Sequence, residues 1–451
     1  MDNKSSELGT EKVGKLLLKL AVPAIIAQLV NVLYNIVDRM FIGRMPGGEL
    51  AMAGVGLAFP IITLISAFSS LIGIGGGPLA AIKMGEQDNE SAEKIMGNSF
   101  ISLIIIAVVL TVFFQITSED ILWMFGASDN TIGYAMDYMR IYLIGTIFVM
   151  IALGMNPFLN TQGFAKMGMI TVVIGAALNI ILDPVFIFGF NMGVKGAALA
   201  TIISQCVSAI WVFLFLIGKK TILKLKIMNM KPSMKVILSI TSLGVSPFIM
   251  QSTESLVLVS LNTKLQMYGG DIAVSAMTVM SSIMQMVTLP LIGIMQGAQP
   301  IISYNYGAKN IKRVKKAFIL SLKTCLLFTL VTVSMCLIFP QMFVRIFSSN
   351  AELIEFTSWA MRIYFAGMAI FGIQIACQQT FLSLGKAKIS LILAMLRKII
   401  LLVPLIFILP AIMDDKLFAV FLAEPVADIL AVISTAICFS IFYRKNLLNK
   451  E

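Results

Sequence analysis

Long apolar runs follow one another from one end of this chain to the other, each about 20 residues or more and separated by short polar links. A helix needs about 20 residues to cross roughly 30 Å of hydrocarbon. Inside that hydrocarbon every backbone polar group must find its partner within the protein, which leaves helices or closed barrels as the only spanning structures. Runs of this length select helices. Twelve are expected, at about 16–43, 52–82, 95–116, 132–157, 165–189, 194–217, 236–262, 271–304, 317–341, 355–383, 389–411 and 417–443. A charged fraction of 13% beside 58% hydrophobic residues excludes a soluble globule, in which about 25% would be charged.

The net charge of +11 invites a nucleic-acid reading, but the basic residues fall in alternate links. Lys219, Lys220, Lys224, Lys226, Lys231 and Lys235 fill the link after the sixth span, and Lys309, Lys312, Arg313, Lys315 and Lys316 the link after the eighth. Lys12, Lys15 and Lys19 precede the first span, Lys386 and Lys388 precede the eleventh, and Arg444 and Lys445 follow the twelfth. Cytoplasmic links carry such an excess. A multi-pass protein of the cytoplasmic (inner) membrane is expected, with both termini cytoplasmic, the lipid bilayer as its partner and no nucleic acid. The N-terminal stretch up to Lys19 is polar and the run after it is long for a signal peptide, so no cleaved leader is expected. The five cysteines, Cys206, Cys325, Cys336, Cys377 and Cys438, lie inside apolar runs without paired spacing and read as small core residues.

The two halves repeat at a shift of 222 residues: GGELA at Gly47 matches GGDIA at Gly269, Pro78 matches Pro300, Gly85 matches Gly307, and YMRIY at Tyr138 lies opposite AMRIY at Ala360. Six spans per half place the halves in the same orientation, a parallel repeat of the kind found in transporters. The expected organisation is an N-terminal six-helix lobe (1–218), a cytoplasmic basic linker (219–235) and a C-terminal six-helix lobe (236–451), around a cleft open to either side in turn. The fold class is all-α integral membrane. Gly73, Gly75, Gly76 and Gly77 on the second span either loosen that helix or allow close packing.

Ionisable residues at bilayer depth are costly and mark ion or substrate paths. At 1.5 Å per residue from the basic flanks, Asp38 on the first span, Asp183 on the fifth and Thr201 on the sixth reach similar depths in the outer half, and Asn179 shares a helix face with Asp183. Two carboxylates, an amide carbonyl and a hydroxyl form a hard-oxygen set suited to Na+. The same pair can carry a proton instead, because burial and a like neighbour both disfavour the doubly charged state. With no histidine in the chain, any proton relay runs on carboxylates and hydroxyls. Adding 222 turns Asp38, Asn179, Asp183 and Thr201 into Ser260, Leu401, Leu405 and Ala423, so the constellation is not duplicated. Glu254 on the seventh span is a possible second protonatable or substrate site. Glu424 and Asp428 on the twelfth are read as ion-pair partners of Arg397 or Lys398 on the eleventh, and Arg140 and Arg362 as anchors. The 30 methionines and 30 phenylalanines could line an adaptable pocket, although composition does not place them.

An enzyme is not indicated: no H-E-x-x-H is possible without histidine, GTEKVGKL at Gly9 lacks the Ser or Thr of a phosphate-binding loop, and GIGGG at Gly73 lies within a span. Acidic rings or carbonyl filters that would suggest a channel do not recur. A flippase for lipid-linked sugars or polysaccharides on a related fold is the alternative, but it would be expected to line its cleft with basic residues, and the deep residues here are mainly acidic.

PAIIAQLVNVLYNIVDRMFIG in the first span, NIILDP in the fifth, LGVSPFIMQSTESL in the seventh and GAQPIISYNYGAKN closing the eighth resemble the MATE (multidrug and toxic compound extrusion) family, in particular its MepA-like and DinF-like bacterial branch. The resemblance covers nearly the whole chain. It implies twelve helices in two pseudo-symmetric lobes that export drugs and organic cations, here cationic amphiphilic small molecules, by antiport against Na+ or H+. No cofactor is implied beyond the coupling ion, and the chain is expected to act as a monomer. It also implies that Asp38, Asn179, Asp183 and Thr201 form the cation-coupling site, and that Pro23 bends the first helix. Pro184 is expected to disturb the fifth by leaving a carbonyl unpaired.

Overall fold

The computed structural model describes residues 3–448, and among these there are helices and no strands. A short helix, Asn3–Thr10, precedes the spans. The first three spans are Val13–Arg44, Gly48–Gly85 and Asn89–Met124. The fourth is a bent pair, Ile132–Ile144 and Thr146–Thr161. The fifth, Ala165–Pro184, continues as a wider π-helical turn over Val185–Gly189, and the sixth is Val194–Ile217. Met234–Gly307 holds the seventh and eighth spans, separated where Gly270 takes φ 64° and ψ −159°. The ninth is Ile311–Ile338 and the tenth a second bent pair, Ala351–Tyr364 and Gly367–Ser383. The eleventh runs through Ala387–Met395, a π-helical Leu396–Leu402 and Val403–Ile412, and the twelfth is Lys416–Tyr443. These are the twelve expected spans in two lobes. Most run several residues past the expected edges, since polar first turns extend the helices beyond the hydrocarbon.

Backbone details follow the repeat. Gln87 and Lys309 take φ of 63° and 57°, and Gly163 and Gly385 take 81° and 69°; each pair is 222 residues apart. Asp88 accepts the Ser91 N–H at the start of the third span as Asn310 accepts the Arg313 N–H at the start of the ninth. The sequence treats the fourth and tenth spans as single runs, but they bend by 59° and 47°, at Gly145 and just before Gly367. These two glycines are also 222 apart. A Cβ on Gly145 would lie 2.2 Å from Ile202 on the sixth span, and one on Gly367 2.7 Å from Pro425 on the twelfth, so the break in each lobe forms where a neighbouring helix crosses too closely for a side chain.

The lobes meet near the face that carries both chain ends, called here the terminal face. A Cβ on Gly85 would stand 2.0 Å from the Tyr304 carbonyl oxygen, and one on Gly307 2.0 Å from that of Ile82. Gly75 lies against Gly244 and Gly297 against Ala21. The Gly73–Gly77 run is therefore a packing device: Gly73 abuts Gly154, and Gly76 abuts Phe158 and Ser99. One apolar core runs through the N-terminal lobe and into the terminal-face half of the C-terminal lobe, and a second is confined to the far half of the C-terminal lobe. Long apolar side chains such as Leu18, Val109, Ile116, Leu327 and Ile437 are exposed on the flanks, as a lipid-facing surface requires. The free cysteines are buried or half-buried among these helices.

Candidate ion site and its C-terminal counterpart

Asp38 reaches its place because the first span packs along the fifth. The first span stays helical through Pro23 from Val13 to Arg44. Pro184 donates no N–H, so the α-helix ends there and the chain opens into one π-helical turn. Directly before that change, fully buried Asp183 and Asn179 one turn back face Thr201. The Asn179 Nδ2 donates to Asp183 Oδ1 at 3.3 Å and lies 3.4 Å from Thr201 Oγ1, while the Thr201 hydroxyl donates to the Ala197 carbonyl at 3.0 Å. The carboxyl of Asp38 faces that of Asp183 closely enough for direct side-chain interaction.

Asp38 Oδ1, Asn179 Oδ1 and Asp183 Oδ2 are buried without a hydrogen-bond partner. Neither carboxylate forms an ion pair among the described residues. The positive charge acting on Asp38 is that of Arg39, whose guanidinium lies over the Phe59 ring at 5.3 Å instead. Two facing carboxylates with unpartnered oxygens can bind a small cation or a proton, while Asn179 presents its Nδ2 rather than its Oδ1 to Asp183 and Thr201. Among the described residues no group of three or more Asp, Glu, His or Cys is placed to hold a metal ion, so a metal here would rest on two carboxylates supplemented by Asn179 and Thr201. Three tyrosines missed by the sequence reading complete the chamber. Tyr138 interacts with Asp38 and its hydroxyl reaches Thr201, Tyr142 stacks on Tyr138 with ring centroids 5.9 Å apart, and Tyr34 lies near both aspartates.

The C-terminal lobe carries a second charged cluster. Arg397 Nε donates to Asp428 Oδ1 at 2.7 Å and Arg397 Nη2 to Glu424 Oε1 at 3.0 Å, with the guanidinium 4.4 Å from the Phe371 ring centroid. Lys398 pairs with Glu254. Adjacent residues on an α-helix point about 100° apart; Arg397 turns to the twelfth span and Lys398 to the seventh from within a π-helical segment. Subtracting 222 from Glu254, Arg397, Lys398, Glu424 and Asp428 gives Val32, Gly175, Ala176, Ile202 and Cys206. Residue by residue nothing is duplicated. The two clusters nevertheless occupy the same three helices of each lobe, the C-terminal one about a turn nearer the terminal face.

Comparison with known proteins agrees with this architecture. The MatE family model matches residues 23–185 and 246–408, once in each lobe. The multidrug export protein MepA of Staphylococcus haemolyticus (strain JCSC1435) is 24% identical over 420 residues, covering 93% of this chain and 92% of its own, and MepA of Staphylococcus aureus (strain N315) is 25% identical, covering 93% of both. A crystal structure of MATE in the bent conformation superposes with a TM-score of 0.91 at 24% identity over 97% of each chain. A MOP superfamily transporter from Pyrococcus furiosus superposes at 0.90 and 24%, over 97% of this chain and 98% of its own. With the family model matched in both halves and the fold shared end to end, the chain belongs to the MatE family.

Proposed function

We propose that this protein exports small organic molecules from the cell by antiport against Na+ or H+, with Asp38, Asn179, Asp183 and Thr201 as the coupling site. The observation that carries the reading is the pair of facing carboxylates, Asp38 and Asp183, with no cation of the protein's own between them. Two like charges in a chamber of low polarity cannot both stand uncompensated. One positive charge must come from solution, and its arrival or departure changes the energy of the surrounding helices. Relatives named as multidrug export proteins support the cargo.

The excess of basic residues in alternate links supports a cytoplasmic terminal face. The lobe contacts at Gly85, Gly307, Gly75 and Gly297 then describe a state closed to the cytoplasm, in which a site about 18 residues (roughly 27 Å) up the fifth span is approached from outside. Residues 1–218 and 236–451 rock as two bodies joined through 219–235. Ion binding favours one state and cargo the other, and exchange follows from their different affinities for the two. Glu254, tied to Lys398, is a secondary candidate for contact with cationic cargo.

The test is ethidium efflux from vesicles in which a Na+ gradient and a pH gradient are imposed separately. One of them alone is expected to drive export. Failure of both would overturn antiport, and binding of a lipid-linked diphosphate in its place would point to a flippase.

A further inference from the structure

The connection between the sixth and seventh spans is not a free tether. Gln162 Oε1 accepts from the Thr221 hydroxyl and from the N–H groups of Ile222 and Leu223 at 2.7–2.8 Å. Glu93 accepts from the Lys224 N–H at 3.0 Å, Lys226 Nζ at 2.6 Å and Asn229 Nδ2 at 3.3 Å, and Asn98 accepts the Ser233 N–H at 2.7 Å. A Cβ on Gly97 would lie 2.3 Å from the Asn229 carbonyl oxygen. That contact fixes the segment eight residues, roughly 12 Å, along the third span from its start at Asn89, so the connection lies beside the bundle.

Held there, the short turn Ile227–Met230 directs two apolar side chains outward, Ile227 86% and Met228 80% exposed, while Met230 packs against the core; Met234 and Leu238 of the seventh span are exposed as well. Lys219, Lys220, Lys231 and Lys235 of the same connection are exposed without an ion pair among the described residues, whereas Lys226 is engaged by Glu93. An exposed apolar tip in a connection rich in exposed cations, where a helix bundle leaves the hydrocarbon, is complementary to the boundary between acyl chains and anionic headgroups.

We propose that the connection is a fixed anchor for anionic phospholipid, with Ile227 and Met228 entering the acyl boundary and the four lysines holding headgroup phosphates. Because this stretch joins the two lobes, bound lipid clamps the joint about which they move. The clamp rests on the two-lobe motion proposed above, whereas the lipid contact itself needs only the membrane fold and is independent of the coupling ion.

The test uses full-length protein with Cys206 and Cys438 changed to Ser and a nitroxide at Met228→Cys, in phosphatidylcholine vesicles with and without phosphatidylglycerol. Lipid-soluble oxygen is expected to reach the label and a water-soluble nickel reagent to be excluded, more strongly with phosphatidylglycerol. Access by nickel, or exclusion of both reagents, would overturn the proposal. In parallel, Lys219→Gln, Lys220→Gln, Lys231→Gln and Lys235→Gln are expected to lower phosphatidylglycerol retention about fivefold per charge at low salt. These side chains are exposed, so the fold should survive the changes, and unchanged retention would refute headgroup binding.

Discussion

The two charged clusters occupy equivalent helices and solve the same problem in opposite ways. In the N-terminal lobe, two carboxylates lie among hydroxyls and an amide with no ion pair among the described residues, and the proposed function has the positive charge supplied from outside. In the C-terminal lobe, Arg397 and Lys398 supply two positive charges against the three carboxylates of Glu254, Glu424 and Asp428, so every carboxylate has a cation of the protein beside it, although Arg397 is shared and Glu424 Oε2 and Asp428 Oδ2 stay buried without a hydrogen-bond partner. A buried charge neutralised internally becomes part of the scaffold, and one neutralised from solution becomes a switch. The repeat placed polar chemistry on the same helices of both lobes, and on the proposed function divergence left the N-terminal lobe as the one that responds to the medium.

The largest difference should appear in stability. Arg397→Met strands Glu424 and Asp428 in the core and is expected to cost about 3–5 kcal/mol, read as a fall in the melting temperature in detergent. Adding Glu424→Gln and Asp428→Asn should recover most of it. Asp183→Asn, which removes one of two like charges, should leave melting nearly unchanged. Equal losses for Arg397→Met and Asp183→Asn would erase the distinction between scaffold and switch.

The Lys398–Glu254 pair should be lopsided, since the Lys398 side chain is 8% exposed and that of Glu254 52%. Glu254→Gln, which leaves a buried ammonium unpaired, should cost about 2 kcal/mol. Lys398→Met should cost less, as its half-exposed partner is not enclosed by the protein. The reverse order would show that Glu254 is the buried member.

Gly85→Ala and Gly307→Ala test where the lobes are alike. Each adds a methyl within 2.0 Å of a backbone oxygen of the other lobe, and each should weaken closure of the terminal face by about 1–3 kcal/mol. Spin-label distances across that face would lengthen equally for both. A one-sided effect would mean that the lobes do not meet symmetrically.

The two helix caps give the smallest effect. Asp88→Ala and Asn310→Ala should each cost about 1 kcal/mol. The Ser91 hydroxyl and then its backbone N–H hold the Asp88 carboxyl below the usual carboxylate range. A carboxyl depressed in the folded state stabilises above its unfolded value and loses that contribution as pH falls, here below about pH 4. Melting should therefore show an acid-sensitive component that disappears in Asp88→Ala and persists in Asn310→Ala.

Much of this was legible in the sequence because it depends on local pattern. Apolar length and alternating basic links gave the spans, and an aspartate within NIILDP could hardly be other than buried. What was not legible depends on neighbours. Gly145 and Gly367 look like ordinary glycines until the sixth and twelfth spans are seen to press on them. Tyr138 was visible only as part of a repeated motif, and its place beside Asp38 and Thr201 comes from the packing of Ile132–Ile144, the part of the fourth span before its break, on the sixth span. The pairing of Glu424 and Asp428 with Arg397 was legible from their place on neighbouring spans, but shifting by 222 compares residues one by one and so did not relate that cluster, displaced by about a turn, to the one in the N-terminal lobe. The fixed course of 219–235 likewise depends on Glu93, Asn98 and Gln162, distant in sequence.

The most direct measurement is gradient-driven export by Asp183→Asn in vesicles, with protein level and melting followed alongside. The protein should insert, melt like the unaltered chain and still bind cargo, yet export nothing when a Na+ or pH gradient is applied. Gradient-driven export at the unaltered rate would contradict the account, because the charge supplied from solution would then be read somewhere other than between Asp38 and Asp183.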